Sequence, residues 1–357
     1  MELEPLFGKT LAQLQDVTGK LGAPKFVATQ IADWLYKKDI CEIEEMSNLS
    51  KKLKASLVKE YSFGLQKPVN VQASADGTKK YLFKAGNHGF IESAFIPENK
   101  RATLCLSSQV GCKMGCLFCM TGKQGFQANL TAGEILNQIR SLPEKEAVTN
   151  LVYMGMGEPM DNLEAVMRSL EILTADWGFA RSPRKITVST IGVVPAMQYF
   201  LENSDCHLAV SLHTPFEEER RMLMPISRKY PIRDILTELK KHNFRRQRRV
   251  SFEYIVFNGL NDTSRHVKEL TRILNGIHCR INLIRFHPIP GTPLKGTDEH
   301  RLMQFKEALN AKGIVTTIRA SRGQDIDAAC GLLSTREMKQ EIIVQELKEN
   351  NQNGKIE

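Results

Sequence analysis

Ala102-Thr-Leu-Cys-Leu-Ser107-Ser-Gln-Val-Gly-Cys112-Lys-Met-Gly-Cys116-Leu-Phe-Cys119 is a strand-like run that breaks into a loop carrying three thiols within eight residues. Thiolates suit zinc and iron–sulfur clusters alike, so the number of ligands decides between them. A closed structural zinc site takes four protein ligands, and this loop offers three. A four-iron cube held by three cysteines leaves one iron open for another molecule. Cys105 does not complete a set of four, because its strand carries it away from the loop. A zinc knuckle is the alternative reading, and metal analysis separates the two.

Downstream, strand-like and helix-like runs alternate. The strands are Ala102–Ser107, Asn150–Met154, Lys185–Thr190, His207–His213, Val250–Val256 and Arg280–Phe286, with Ile314–Ala320 after the last helix. Strands alternating with helices point to α/β architecture, here a partial (β/α)6 parallel barrel. Upstream, Leu11, Leu14, Val17 and Leu21, then Ile31, Trp34, Leu35 and Ile40, recur with helical spacing. They predict a small helical domain over residues 1–61. Residues 79–85 and 90–97, preceded by the Asp76-Gly77 turn, predict a short β extension over 62–98. The core is then 99–335 and a polar tail 336–357.

In barrels of parallel strands the site lies at the carboxyl ends of the strands. Glu158, Ser189, Ser211, His213 and Asn282 fall at or near those ends, and Gly155-Met-Gly157-Glu158-Pro159 follows the second strand. Glycines there allow close backbone approach to a ligand, and the carboxylate can take an ammonium group. Taken singly, each is equally an ordinary polar residue ending a strand.

The chain has 357 residues, 42% of them hydrophobic, eight cysteines and a formal charge of +9. No basic leader precedes an apolar stretch and no apolar run approaches a membrane span, so the reading is a cytoplasmic protein without a membrane partner, expected to be a monomer. Excess positive charge favours a polyanion, since neutralised phosphates release counterions. Candidate phosphate contacts are Arg181, Arg184 and Lys185, Arg220-Arg221, and the run Lys240-Lys241-His-Asn-Phe-Arg245-Arg246-Gln-Arg248-Arg249.

The cysteine spacing, with Phe118 before the last thiol, resembles the signature of the radical S-adenosylmethionine superfamily. The match narrows further. Ser107–Cys112, Gly125–Thr131, Met154–Pro159, Val188–Gly192 and Asp325–Gly331 resemble the RlmN and Cfr family of RNA methyltransferases.

That resemblance implies one [4Fe-4S] cluster on Cys112, Cys116 and Cys119, and two molecules of S-adenosylmethionine per turnover. It implies cofactor binding by Gly157, Glu158, Ser189, Ser211, Leu212, His213 and Asn282. It also implies that Cys330 carries the transferred methyl, that Cys105 resolves a protein–RNA link through a transient disulfide, and that Glu92 removes the ring proton. Read from the residues alone, Cys330 and Cys105 could equally be packed in the core and Glu92 a solvated strand residue; Cys41, Cys206 and Cys279 read as packing residues. The implied substrate is adenosine in 23S rRNA and in tRNA beside the anticodon, with flavodoxin or ferredoxin as electron donor. Pro159 after Glu158 favours methylation at carbon 2 over carbon 8.

Overall fold

The computed structural model describes residues 3–244 and 248–326. Cys330, Gly331, Arg245, Arg246 and the tail from 336 lie outside the described residues. The amino-terminal unit comprises strand β1 (Glu4–Pro5), helices α1 (Leu11–Lys20), α2 (Phe26–Tyr36) and α3 (Lys51–Glu60), and strand β2 (Tyr61–Ser62), which pairs parallel with β1. Thr10 starts α1 because its hydroxyl accepts from Gln13 N while the Gln13 side chain accepts from Thr10 N. Leu14 and Val17 of α1 meet Val27, Ala28, Ile31 and Leu35 of α2 in one buried cluster.

Four antiparallel strands follow: β3 (Asn70–Ala73), β4 (Lys79–Lys84), β5 (Phe90–Glu98) and β6 (Arg101–Cys105). The extension is therefore continuous with the main sheet. Strand β7 (Gln109–Gly111), helix α4 (Met120–Gln124) and strand β8 (Phe126–Asn129) frame the cysteine loop, with β7 and β8 antiparallel. Sequence pattern missed this ribbon, whose strands are too short to show a period. A close approach closes it: Gly111 has φ +70°, and a Cβ there would meet Gly125 O at 1.8 Å.

The chain then alternates through α5 (Ala132–Arg140), β9 (Asn150–Tyr153), α6 (Leu163–Thr174), β10 (Ile186–Thr190), α7 (Val194–Asn203), β11 (His207–Ser211), α8 (Glu217–Leu223), α9 (Ile232–Lys240), β12 (Val250–Val256), α10 (Ser264–Ile273), β13 (Cys279–Arg285), α11 (Glu299–Ala311) and β14 (Val315–Ile318). The sheet order is β14-β13-β12-β11-β10-β9-β6-β5-β4-β3, parallel from β6 through β14. This is the expected partial barrel, with one strand more than six.

Strand alternation gives the sheet two different faces. Leu104, Leu151, Val188, Leu208, Val210, Phe252, Tyr254, Ile281 and Leu283 join the large apolar cluster that also holds the helices. The alternate positions, including Cys105, Ser189, Ser211, Glu253 and Asn282, form the opposite, more polar inner wall.

Among the described residues no ladder joins β14 to β3. The turn between β3 and β4 instead meets the loop after β14: Asp325 accepts from Ser74 Oγ at 2.5 Å and Ala75 N at 3.1 Å, and Asp76 accepts from Gly323 N at 3.0 Å.

Arg140 of α5 fastens the amino-terminal unit to the barrel. Its buried guanidinium donates to Asp39 Oδ1 at 2.8 Å and to the carbonyls of Lys38 and Ile40. Arg140→Ala should destabilise the protein by about 1–3 kcal/mol, because those carbonyls lose their donor in a buried seam. Chemical denaturation of wild type and variant measures the difference.

Candidate active site

The cysteine loop is anchored at three points. Cys112 N donates to Gly125 O at 3.0 Å, Leu117 N to Leu223 O at 2.9 Å, and Cys119 N to Cys116 O at 3.2 Å. Cys112 and Cys116 are buried, Cys119 half-buried, and the wall around them includes Met114, Met120, Ile191, Phe257, Phe286 and Ile289. Burial pushes the Cys112 thiol up to about 12 and Cys116 well above its ordinary value, with the Cys119 thiol adding to both rises and Cys112 to that of Cys116. Three soft donors crowded in a dry pocket favour a cationic, thiophilic group that would hold them as thiolates. The donor set therefore fits an iron–sulfur cluster. Among the described residues no three His, Cys, Asp or Glu side chains form a ready-made set around a single ion.

The turn after β9 brings Glu158 beneath this loop. Glu158 Oε1 accepts from Met160 N at 3.1 Å, and Oε2 accepts from Ile191 N at 2.9 Å, in the loop after β10. Gln109 Oε1 accepts from Glu158 N at 2.9 Å, tying in β7. Both carboxylate oxygens thus already serve the turn. With the Thr190 hydroxyl as a third donor, the carboxylate keeps one lone pair for a further donor. Gly157 has φ +97°, and a Cβ there would meet Gln109 Cβ at 2.5 Å. Close packing against Gln109 requires that glycine without any ligand. Burial raises the Glu158 carboxyl to about 7, against the opposing effect of the Thr190 hydroxyl and two backbone donors.

Arg220 belongs here rather than to an RNA-facing surface. The expected phosphate contact is overturned by its complete burial: its guanidinium donates to Ile191 O at 2.6 Å, Ser211 O at 3.0 Å, Ser227 Oγ at 3.0 Å and Tyr230 O at 3.1 Å. Its position after a triple-glutamate helix start resembled an exposed charge run, and no sequence signal distinguished it from Arg221. Arg220 also opposes the burial-driven rise of the Cys116 thiol, so it supplies positive potential at the cysteine loop.

Ser211, Leu212 and His213 leave β11 in sequence but point to different places. Leu212 is buried in the outer core, with its N–H on Glu253 O at 3.0 Å. His213 has φ +59°, accepts at Nδ1 from Ile255 N at 3.0 Å, and sets its ring edge-on to Phe118 with centroids 4.6 Å apart. Burial lowers its imidazole to about 3, so the ring is neutral. Ser211 and Asn282 occupy the inner wall, and Ser189 lies on the same wall at β10.

Glu92 and Cys105 lie on that wall too. Cys105 ends β6 opposite Ala94 of β5, and Glu92 follows two residues away on the same side. The reading of Glu92 as a solvated residue is overturned: it is buried, and Lys80, also buried, stands 3.5 Å from its carboxylate. Cys105 is half-buried, and its thiol is raised by desolvation with Arg319 opposing. Lys80, Gln109 and Glu253 escaped the sequence reading. The signal for Glu253 was available, as a lone acid within the apolar run Val250-Ser-Phe-Glu-Tyr-Ile-Val256.

Of the other basic candidates, Arg184, Lys185, Arg221, Lys240, Lys241 and Arg249 are exposed. Arg181 donates to Val148 O at 2.7 Å and Arg248 to Leu201 O at 2.6 Å, so both spend donors on the fold. No helix among the described residues is long and apolar enough to cross a membrane.

The chain matches the Radical SAM superfamily over residues 106–271 and the ribosomal RNA large subunit methyltransferase N-terminal domain over residues 5–62. It is 56% identical over 330 residues to the probable dual-specificity RNA methyltransferase RlmN of Parabacteroides distasonis, covering 92% of this chain and 96% of that one. It is 41% identical over 326 residues to the dual-specificity RNA methyltransferase RlmN of Lawsonia intracellularis, covering 88% and 91%. A crystal structure of a radical SAM methyltransferase from Sphaerobacter thermophilus superposes with a TM-score of 0.86 at 38% identity, covering 92% of this chain and 98% of that one.

Glu158 gives a pH signature. Its folded value of about 7 lies above its ordinary 4.5, so the folded state binds the extra proton between the two. Stability from this group is present at low pH and is lost as pH rises from about 4.5 to about 7. Glu158→Gln should abolish that component, on the order of 2–3 kcal/mol, even if its overall stability falls. Denaturation of both proteins at pH 5 and pH 7.5 gives the slope.

Proposed function

The chain belongs to the RlmN family of radical S-adenosylmethionine RNA methyltransferases, and from that membership we propose that it methylates carbon 2 of adenosine in 23S rRNA and in tRNA 3′ of the anticodon. The observation carrying this reading is the shared face of one sheet: Glu92, Cys105, Ser189, Ser211 and Asn282 line the wall that opens toward the three-cysteine loop. Pro159 after Glu158 supports carbon 2 over carbon 8, and the dual specificity in the relatives' names supports two RNA substrates.

Carbon 2 of adenine is too weak a nucleophile for simple displacement, so the methyl must arrive by a radical route. A cluster on Cys112, Cys116 and Cys119 would supply the electron that splits S-adenosylmethionine into methionine and a 5′-deoxyadenosyl radical. Glu158 would hold the methionine ammonium, for which its carboxylate keeps a free lone pair. Ser189, Ser211 and Asn282 would hold the remainder of the cofactor, with His213 and Leu212 contributing through the backbone turn they fix.

Cys330, methylated by a first cofactor molecule, would yield a hydrogen atom to the radical formed from the second. Its methylene carbon would then bond to carbon 2, Glu92, beside Lys80, would take the proton from that carbon, and the unpaired electron left on the base would return to the cluster that supplied it, leaving a closed-shell thioether. Attack of the Cys105 thiolate on the Cys330 sulfur breaks the sulfur–carbon bond, the released carbon keeps the electron pair and takes up a proton to become the methyl group, and the disulfide left behind must be reduced by an external thiol. The electron donor would be a small protein such as flavodoxin or ferredoxin. The exposed basic residues, Arg184, Lys185 and Arg249 among them, would meet RNA phosphates.

Reconstituted protein given 23S rRNA fragments and tRNA should produce 2-methyladenosine, identified by mass spectrometry of the digested nucleosides; 8-methyladenosine would replace the reading by the sister activity. Cys112→Ala, Cys116→Ala and Cys119→Ala should each lose the cluster absorbance. Cys330→Ser should keep it but lose methylation. Cys105→Ala should accumulate a covalent protein–RNA adduct on a denaturing gel, and normal turnover without one would remove Cys105 from the mechanism.

A further inference from the structure

The parallel register places four polar residues in one row across the inner wall. Ser211 of β11 pairs with Glu253 of β12, Glu253 with Asn282 of β13, and Asn282 with Thr317 of β14. The row is hydrogen-bonded in one direction. Thr317 Oγ1 donates to Asn282 Oδ1 at 2.8 Å, and Asn282 Nδ2 donates to Glu253 Oε1 at 2.8 Å. Ser251 Oγ adds a second donor to the same oxygen at 3.1 Å.

Glu253 is only 4% exposed, yet among the described residues its Oε2 accepts no hydrogen bond. Desolvation of this carboxylate raises its proton affinity while Arg319 opposes the rise, a cost that the two donors on Oε1 offset only in part. A ligand with hydroxyl donors would relieve that cost. Glu253 lies one step inside the rim, since its carbonyl accepts from Leu212 N and His213 N. Ile255, two residues nearer the rim on the same face, offers apolar surface beside it. A ligand anchored at Glu158 and the cysteine loop by its amino-acid end would bring its other end to this row. The amino-acid ammonium is matched by Glu158, which leaves the vicinal hydroxyls of the sugar as the strong donors in need of an acceptor.

We propose that Glu253 is a cofactor-binding residue that accepts the ribose hydroxyls of S-adenosylmethionine through Oε2, oriented for the task by Asn282 and Ser251. The assignment rests on the cofactor reading above. Asn282 also acts as a positioning residue: with Oδ1 committed to Thr317, its amide turns one N–H to Glu253 and keeps the second for the cofactor.

The test uses the reconstituted holoprotein and 5′-methylthioadenosine, which lacks the amino-acid end and so bypasses Glu158. Its counterpart is the 2′,3′-dideoxy nucleoside, and calorimetry gives both dissociation constants. Wild type should bind the diol roughly 10- to 150-fold more tightly, the effect of a hydrogen bond to a charged group. Glu253→Ala should bind both nucleosides within about threefold of each other. Glu253→Gln, which keeps the shape of the side chain, should give a discrimination between these limits and guards against a folding failure in the alanine variant. Full discrimination retained in either variant overturns the assignment, as does a wild type that binds both nucleosides equally. A wild type that binds neither nucleoside nor S-adenosylmethionine itself overturns instead the cofactor reading beneath it.

Discussion

The peptide of Ile191 is held between an acid and a base, and the mouth of the barrel is organised around it. Its N–H goes to Glu158 from the β9 turn, and its carbonyl accepts from Arg220 of α8. Gln109 extends the chain of contacts to the ribbon beside the cysteines, and Arg220 continues it to Ser211 at the end of β11. Loops that follow β6, β9, β10 and β11 are thereby fixed relative to one another by buried, charge-assisted hydrogen bonds. The cysteine loop leans on this frame through Leu117 and through the Phe118–His213 ring contact. Loss of one member would leave several backbone groups buried without partners.

The two faces of the sheet follow different chemistry. Parallel sheets covered on both sides read as unbroken apolar runs, because both faces are dry. Here Leu208 and Val210, or Ile281 and Leu283, face the helices, whereas Ser211, Glu253 and Asn282 face the interior of an incompletely closed barrel. The apolar side supplies the burial that holds the fold together. The polar side is therefore available for recognition.

The strands of the core were legible because alternate residues carry strong apolar character, and the cysteine loop because three thiols at that spacing have few other uses. Arg220 and Glu253 were not legible, for the same reason in both cases. A charged residue in sequence is by default a surface residue, and its burial depends on partners contributed by other elements: Ile191 and Ser211 for Arg220, Asn282 for Glu253. The burial of Glu92 likewise depends on Lys80 in the neighbouring strand. The glycine at 157 was readable as special, but its reason lay in Gln109, almost fifty residues earlier. Pairwise complementarity across the fold has no periodicity for a sequence reading to detect.

The two ends of the sheet are joined by side chains rather than by a ladder, and this has a consequence for the protein's life in a crowded solution. Val71 on β3 and Val315 on β14 are both more than half exposed on edge strands. Such edges present unpaired backbone groups on which a foreign strand can build. The reciprocal grip of Asp76 and Asp325 keeps the two edges turned toward each other. The donors they serve hold Asp76 well below the ordinary carboxylate range and lower Asp325, so the grip persists into mildly acid conditions. A pair of aspartates remote in sequence from the three-cysteine loop thus holds the two open edges together, and colloidal behaviour, more than melting temperature, is where its removal would be felt.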